Sequence, residues 1–162
     1  MTKQQILINF NLLDSISELP KIDRDLLTKA RQVTNLAYAP YSNFHVGATA
    51  ILKSGTIISA TNQENASYGV TVCAERCLLI NHTNNHNSDL IETIAISYSH
   101  QNQPCDKPIS PCGICRQALL EYETRFNTKL RFLLSGQSGA IIELRGVVSM
   151  LPFAFDSNFL GI

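Results

Sequence analysis

Three cysteines and one glutamate carry the strongest chemical signal in this chain of 162 residues. Cys73-Ala74-Glu75-Arg76 is followed, about forty positions later, by Pro111-Cys112-Gly113-Ile114-Cys115-Arg116-Gln117. Cys112 and Cys115 are three apart, so on the first turn of a helix both sulfurs lie on one side and can grip one ion. Cys73, at another expected helix start, can supply a third ligand. Thiolates favour zinc, and three protein ligands leave a fourth position for water, which separates a catalytic centre from a closed structural one. Unpaired N–H groups at helix N-termini also make thiolates easier to keep deprotonated. Three thiolates and a hydroxide would weaken zinc as a Lewis acid unless positive charge offsets them, and Arg76 is placed to do so by hydrogen-bonding to the sulfurs. Glu75 is not needed as a ligand and can face the open position, moving a proton from zinc-bound water to a substrate.

Plainer alternatives exist for each of these residues. The thiols could form a structural site or sit reduced in the core. Cys77, one turn further along the same helix as Cys73, reads as core, and Cys105, in the polar stretch QNQPCDKP, as a solvent-facing thiol. Glu75 alone could be a first-turn acid favouring the helix dipole, and Arg76 a surface charge. His82, His86 and His100 fall in expected loops and read as solvated, while His45 reads as a strand residue.

The elements that position these residues are legible in the hydrophobic periodicity. Thr2–Leu13 has apolar residues near helical spacing, giving an N-terminal helical extension at about 1–20; a second helix runs from about Ile22 to Ala37, with Pro40 as its stop. Asn43–Leu52 and Thr56–Thr61 read as strands joined by the turn Lys53-Ser54-Gly55. Val72–Ile80 is helical, Leu90–Ser97 a buried strand, Cys112 to about Glu123 helical, and Leu130–Leu134 and Ala140–Leu144 are strands. A hairpin followed by alternating helices and strands predicts an α/β fold, a mixed five-stranded sheet with helices on its faces.

Thirteen basic residues balance thirteen acidic ones, 44% of residues are hydrophobic and 16% charged. That composition belongs to a globular chain, and its zero net charge excludes the electrostatic footprint of a nucleic-acid or anionic-membrane binder. No apolar run is long enough to span a bilayer. Asn9 and Asn11 interrupt the N-terminal apolar stretch, against an export signal, and the five cysteines are odd in number, against a secreted disulfide framework. The expectation is one cytoplasmic domain over 1–162 with reduced thiols.

With those residues in view, the chain resembles the cytidine deaminase family. The resemblance runs from about Ala37 to Phe155, roughly three quarters of the chain, through AYAPYSNFHVGA, TNQENASYG, CAER, PCGICRQ and MLPFAF in order. Cys-Ala-Glu-Arg followed by Pro-Cys-x-x-Cys matches zinc deaminases, whose chemistry is already described for nucleobase deaminases with a non-ligand Glu as proton carrier. Asn62-x-Glu64-Asn65 narrows the resemblance to nucleosides.

The resemblance implies a three-layer α-β-α fold and one zinc per subunit held by Cys73, Cys112 and Cys115, with Arg76 and Gln117 beside the ligands. It implies that hydroxide attacks C4 of cytosine while Glu75 protonates N3 and then helps ammonia leave. Asn62 and Glu64 match a pair that holds the ribose 3′-hydroxyl, Phe44 an aromatic residue beside the base, and Ala74 a backbone N–H at the base carbonyl. A three-cysteine centre in a short chain further implies a homotetramer with shared active sites. Phe155 would reach the pyrimidine of a neighbouring subunit, and Ala66 and Tyr68 would approach the 5′-hydroxyl across an interface. Read without the resemblance, Asn62 and Glu64 could be turn residues and Phe44 and Phe155 core aromatics. Ala60-Thr61 departs from the Gly-containing lead-in usual before Asn-x-Glu.

Overall fold

The apolar runs pair as strands around one central sheet, described here for residues 1–161 of a computed structural model. The hairpin forms as expected: β2 (Phe44–Leu52) and β3 (Ile57–Thr61) are antiparallel, and Gly55, at φ 89°, supplies the left-handed turn residue between them. β2 also pairs antiparallel with β4 (Ile91–His100), which in turn pairs parallel with β5 (Arg131–Ser135). That parallel pair requires a crossover, and α3 (Gly113–Phe126) provides it. β6 (Ile141–Arg145) returns antiparallel to β5.

The sheet has six strands, in the order β1-β6-β5-β4-β2-β3, one more than the five expected. The added strand, β1 (Asn11–Leu13), sets Asn11 opposite Glu143 and Leu13 opposite Ile141. It comes from the segment whose spacing suggested a helical extension at about 1–20, and that expectation is corrected. Residues 1–10 have no regular secondary structure, and Ile16–Glu18 is a single 3-10 turn closed by a Ser15–Glu18 capping box. A short isolated helix is marginal in water, and Ile6, Ile8, Asn9 and Asn11 are poor helix formers, whereas the edge of β6 offers unpaired backbone groups.

Helices cover both faces, as the resemblance implied. On one face α1 (Lys21–Val33) buries Leu26, Leu27 and Ala30 against Ile51, Ala95 and Leu133. The helix ends four residues short of Ala37, in a 3-10 turn over Thr34–Leu36. α1 lies so close to β2 that a Cβ at Gly47 would collide with the Ala30 carbonyl, so this position requires glycine. On the other face α2 (Ala74–Asn85) and α3 bury Leu78 and Leu119 against a larger cluster that includes Ala50, Ile94, Ile96 and Phe132.

Two polar devices lock these layers. Buried Glu123, on the last turn of α3, accepts from the amides of Leu130 (2.8 Å) and Val147 (3.1 Å), tying the helix end to β5 and to the turn after β6. Arg131 of β5 donates to both carboxylate oxygens of Asp23 on α1 (2.8 and 2.7 Å) and to Glu143 on β6 (2.6 Å). His82, expected to be solvated in a loop, is instead fully buried on α2. There Nε2 meets the Asp89 carbonyl at 2.9 Å and the ring packs edge-on to Tyr122.

Candidate metal centre and active site

The sheet brings the N-termini of α2 and α3 together, and with them the three cysteines. Cys73 is the N-cap of α2, Cys112 the N-cap of α3, and Cys115 lies within the first turn of α3. All three sulfurs lie within 4.8 Å of one another, with Cys73 Sγ and Cys112 Sγ 3.8 Å apart and Cys112 Sγ and Cys115 Sγ 3.5 Å apart. Around a tetrahedral ion with zinc–sulfur bonds of about 2.3 Å, sulfurs stand about 3.8 Å apart. The donor set therefore fits zinc in both chemistry and spacing.

The protonation of the cluster makes the same point. Hydrogen bonding from the Cys115 thiol, and more weakly from Cys112, together with the charge of Arg76, outweighs burial and pulls the Cys73 thiol down from 9.0 to about 6. Cys115 moves the opposite way, held protonated by its hydrogen bond to Cys73, by its burial and by the charges of Glu75 and Cys73. Three thiols this close cannot all ionise without a cation among them.

Glu75, in the first turn of α2, is 5% exposed. Burial raises its carboxyl above the ordinary value and the charge of Cys73 adds to this, while its own amide and the Cys115 thiol offset part of the rise. A carboxyl held beside the thiols but outside their cluster is free to carry protons. Ala74 is fully buried at the first position of α2. Arg76 helps lower the Cys73 thiol through its charge, and among the described residues it makes no hydrogen bond to a sulfur. Gln117 also bonds elsewhere: its amide donates to the Phe155 carbonyl at 2.8 Å, fixing the C-terminal segment on α3.

Asn62, Glu64 and Phe44 gather where β2 begins. Buried Asn62 accepts from the Val46 amide at 2.7 Å and donates to the Phe44 carbonyl at 2.9 Å. Glu64 accepts from the amides of Tyr41 (2.9 Å) and Ser42 (3.3 Å) and from the Ser42 hydroxyl (2.5 Å). Burial acts to raise its carboxyl, but these bonds and the charge of His45 outweigh it and hold Glu64 below the usual carboxylate range. Phe44 is half-buried, its ring stacked on Tyr98 with centroids 5.1 Å apart.

The remaining expected residues are not enclosed by this chain. Ala66 and Tyr68 are exposed, Tyr68 edge-on to Tyr41. Phe155 is exposed and stacks on Phe159. Three contributors escaped the sequence reading. Tyr98 supports Phe44, and Ser42 bonds Glu64. Arg116 anchors the entry to α3 by donating to the carbonyls of Pro111 (2.8 Å) and Met150 (2.7 Å). Ser42 and Arg116 lie inside the quoted motifs, yet only the folded chain shows what they touch.

A three-layer fold with a three-thiol centre and a buried carboxyl outside its ligand set has the parts of a zinc-dependent hydrolase. Residues 20–127 match the family described as the cytidine and deoxycytidylate deaminase zinc-binding region. The chain is 38% identical to a cytidine deaminase of Halalkalibacterium halodurans over 138 residues, covering 85% of this chain and 97% of that one. It is also 28% identical to a blasticidin-S deaminase of Bacillus cereus, covering 84% of this chain and 94% of that one. A crystal structure of cytidine deaminase from Burkholderia pseudomallei superimposes with a TM-score of 0.69 at 32% identity, covering 81% of this chain and 97% of that one. The chain belongs to the cytidine and deoxycytidylate deaminase family. It is an enzyme whose cofactor is zinc and whose reaction is hydrolytic deamination.

Proposed function

We propose that the chain converts cytidine and 2′-deoxycytidine to uridine and 2′-deoxyuridine with release of ammonia, in pyrimidine salvage. The observation that carries this reading is the set of three thiols at zinc spacing with buried Glu75 beside them, and the Asn62–Glu64–Phe44 group, tied to the same region by the bridge between Gln63 and Val72, the residue before Cys73. Cys73, Cys112 and Cys115 hold the zinc, which when bound supplies a Lewis acid that makes water nucleophilic at neutral pH. Glu75 takes the proton of the attacking water and delivers it to N3 of the base, then carries the remaining proton of the new C4 hydroxyl to the amino group, which leaves as ammonia as the C4 carbonyl forms. Because Glu75 is nearly free of water, its proton goes to the substrate rather than to solvent.

Phe44 lies against the base, the Ala74 amide at the α2 N-terminus meets its carbonyl, and Asn62 and Glu64 hold the 3′-hydroxyl. Arg76 offsets the thiolate charge, and Gln117 holds the segment bearing Phe155. The chain is one domain over 1–162. Four copies assemble, so that Phe155 meets the pyrimidine, and Ala66 and Tyr68 the 5′-hydroxyl, in a neighbouring subunit. The exposure of these side chains supports that arrangement. Its five unpaired cysteines suit the reducing cytoplasm. Among the described residues no helix is long and apolar enough to cross a membrane.

The test is the ultraviolet absorbance of cytidine with purified, zinc-quantified protein, beside a chelator-stripped control and blasticidin S as a second substrate. Zinc-dependent loss of the cytidine absorbance with ammonia release is expected. Turnover of blasticidin S alone, or cytidine binding without ammonia at full zinc occupancy, would overturn the assignment.

A further inference from the structure

One hydroxyl touches both the sugar-holding carboxylate and the base-stacking residue. Ser42 Oγ donates to Glu64 Oε1 at 2.5 Å and accepts from the Phe44 amide at 3.0 Å. Asn43, at φ 55°, curls the chain so that the hydroxyl of residue 42 meets the amide of residue 44. The second carboxylate oxygen, Oε2, is engaged by the amides of Tyr41 and Ser42.

A carboxylate offers about four acceptor sites, two on each oxygen. Oε2 is therefore filled, and Oε1 has one site left beyond its bond to Ser42. The two amides pin a single oxygen, and a group pinned at one atom can still rotate. The hydroxyl on Oε1 is the second point that fixes the carboxylate plane. Phe44 is held from both sides as well, its amide by Ser42 and its carbonyl by Asn62.

We propose that Ser42 is a positioning residue for nucleoside recognition: its hydroxyl orients Glu64 so that the remaining acceptor site on Oε1 faces the 3′-hydroxyl of the sugar. The inference rests on the reading above that Glu64 binds the sugar. Ser42 touches Glu64 and not the reacting atoms, so its effect falls on substrate affinity rather than on the chemical step. The bond to a charged group at this distance is of the strong class.

The experiment is steady-state kinetics of the zinc-loaded full chain on cytidine and on 3′-deoxycytidine, for the wild type, Ser42→Ala, Ser42→Thr and Glu64→Gln. Ser42→Ala is expected to raise KM for cytidine about tenfold, as for loss of one hydrogen bond to a charged group, with kcat within about threefold. Its KM for 3′-deoxycytidine should match that of the wild type, and Ser42→Thr should restore the cytidine value. An equal rise of KM on both substrates in Ser42→Ala, while Glu64→Gln discriminates between them, would overturn the role of Ser42. No discrimination by Glu64→Gln would instead overturn the sugar-binding reading of Glu64. Should Ser42→Ala lose its fold, Ser42→Cys, close in shape but a weak donor, must show the same KM split or the proposal fails.

Discussion

In the proposed reaction Glu75 and the three cysteines divide the chemistry between a carboxyl that moves protons and thiols that hold charge. Since Glu75 is buried beside the sulfurs without being needed as a ligand, Glu75→Gln keeps the shape of the site and removes only its proton traffic. Turnover of cytidine should fall by a factor of at least about 100, with zinc content unchanged. Ammonia release and metal analysis on the same sample check this, and near-normal uridine formation would show that the proton travels another way. Several contacts at this level were invisible in the sequence. Arg76 and Gln117 sit beside ligands in the motif, yet one acts through its field and the other holds a distant carbonyl. Side-chain direction, not adjacency, makes the difference.

The helices and strands meet at two polar junctions with different consequences. The cysteine cluster clips the N-terminus of α2 to that of α3, so removing zinc leaves thiols that resist ionising together. A chelator-stripped sample should unfold at a lower temperature than the holoprotein and recover on adding zinc, as scanning calorimetry would record. Far from that site, Arg131 joins α1, β5 and β6 through Asp23 and Glu143. Asp23→Ala leaves Arg131 with Glu143 alone, and should destabilise the fold by about 3 kcal/mol in urea denaturation. Zinc content per folded molecule should not change.

The same junction gives a pH dependence. Burial acts to raise the Glu143 carboxyl, but Arg131 and Asn11 outweigh it and hold it below its ordinary value. A depressed carboxyl adds stability above the unfolded value of about 4.3, and that stability is lost as pH falls through the lower folded value. Acid denaturation should therefore begin later in the descent for Glu143→Gln relative to its own neutral-pH stability. An unchanged acid slope would remove Glu143 from the account.

Taken as one body, the chain leaves several aromatic side chains uncovered: Phe153 is 94% exposed, Phe155 57% and Phe159 72%. These are the side chains that the proposed assembly of four copies would cover. Light scattering should give a mass four times that of the chain. Phe155→Ala should lower activity with zinc content intact, through the site of the neighbouring subunit. A monomer with full activity would end the shared-site reading.

Periodicity and motif spacing were enough for the order of nearly all elements, the helix N-termini under the cysteines and the three-thiol donor set. Those are local properties: thiols three apart on a helix turn, strands of apolar residues, a proline before a helix. Thr2–Leu13 shows where local reading ends, because its helical spacing was overridden by the open edge of β6, more than a hundred residues away in sequence. Burial of His82 and the bonds of Ser42 to Glu64 likewise depend on which segments pack together. Strand pairing and hydrogen-bond partners are set by non-local contacts, which carry no period in the sequence and exist only once the sheet has closed.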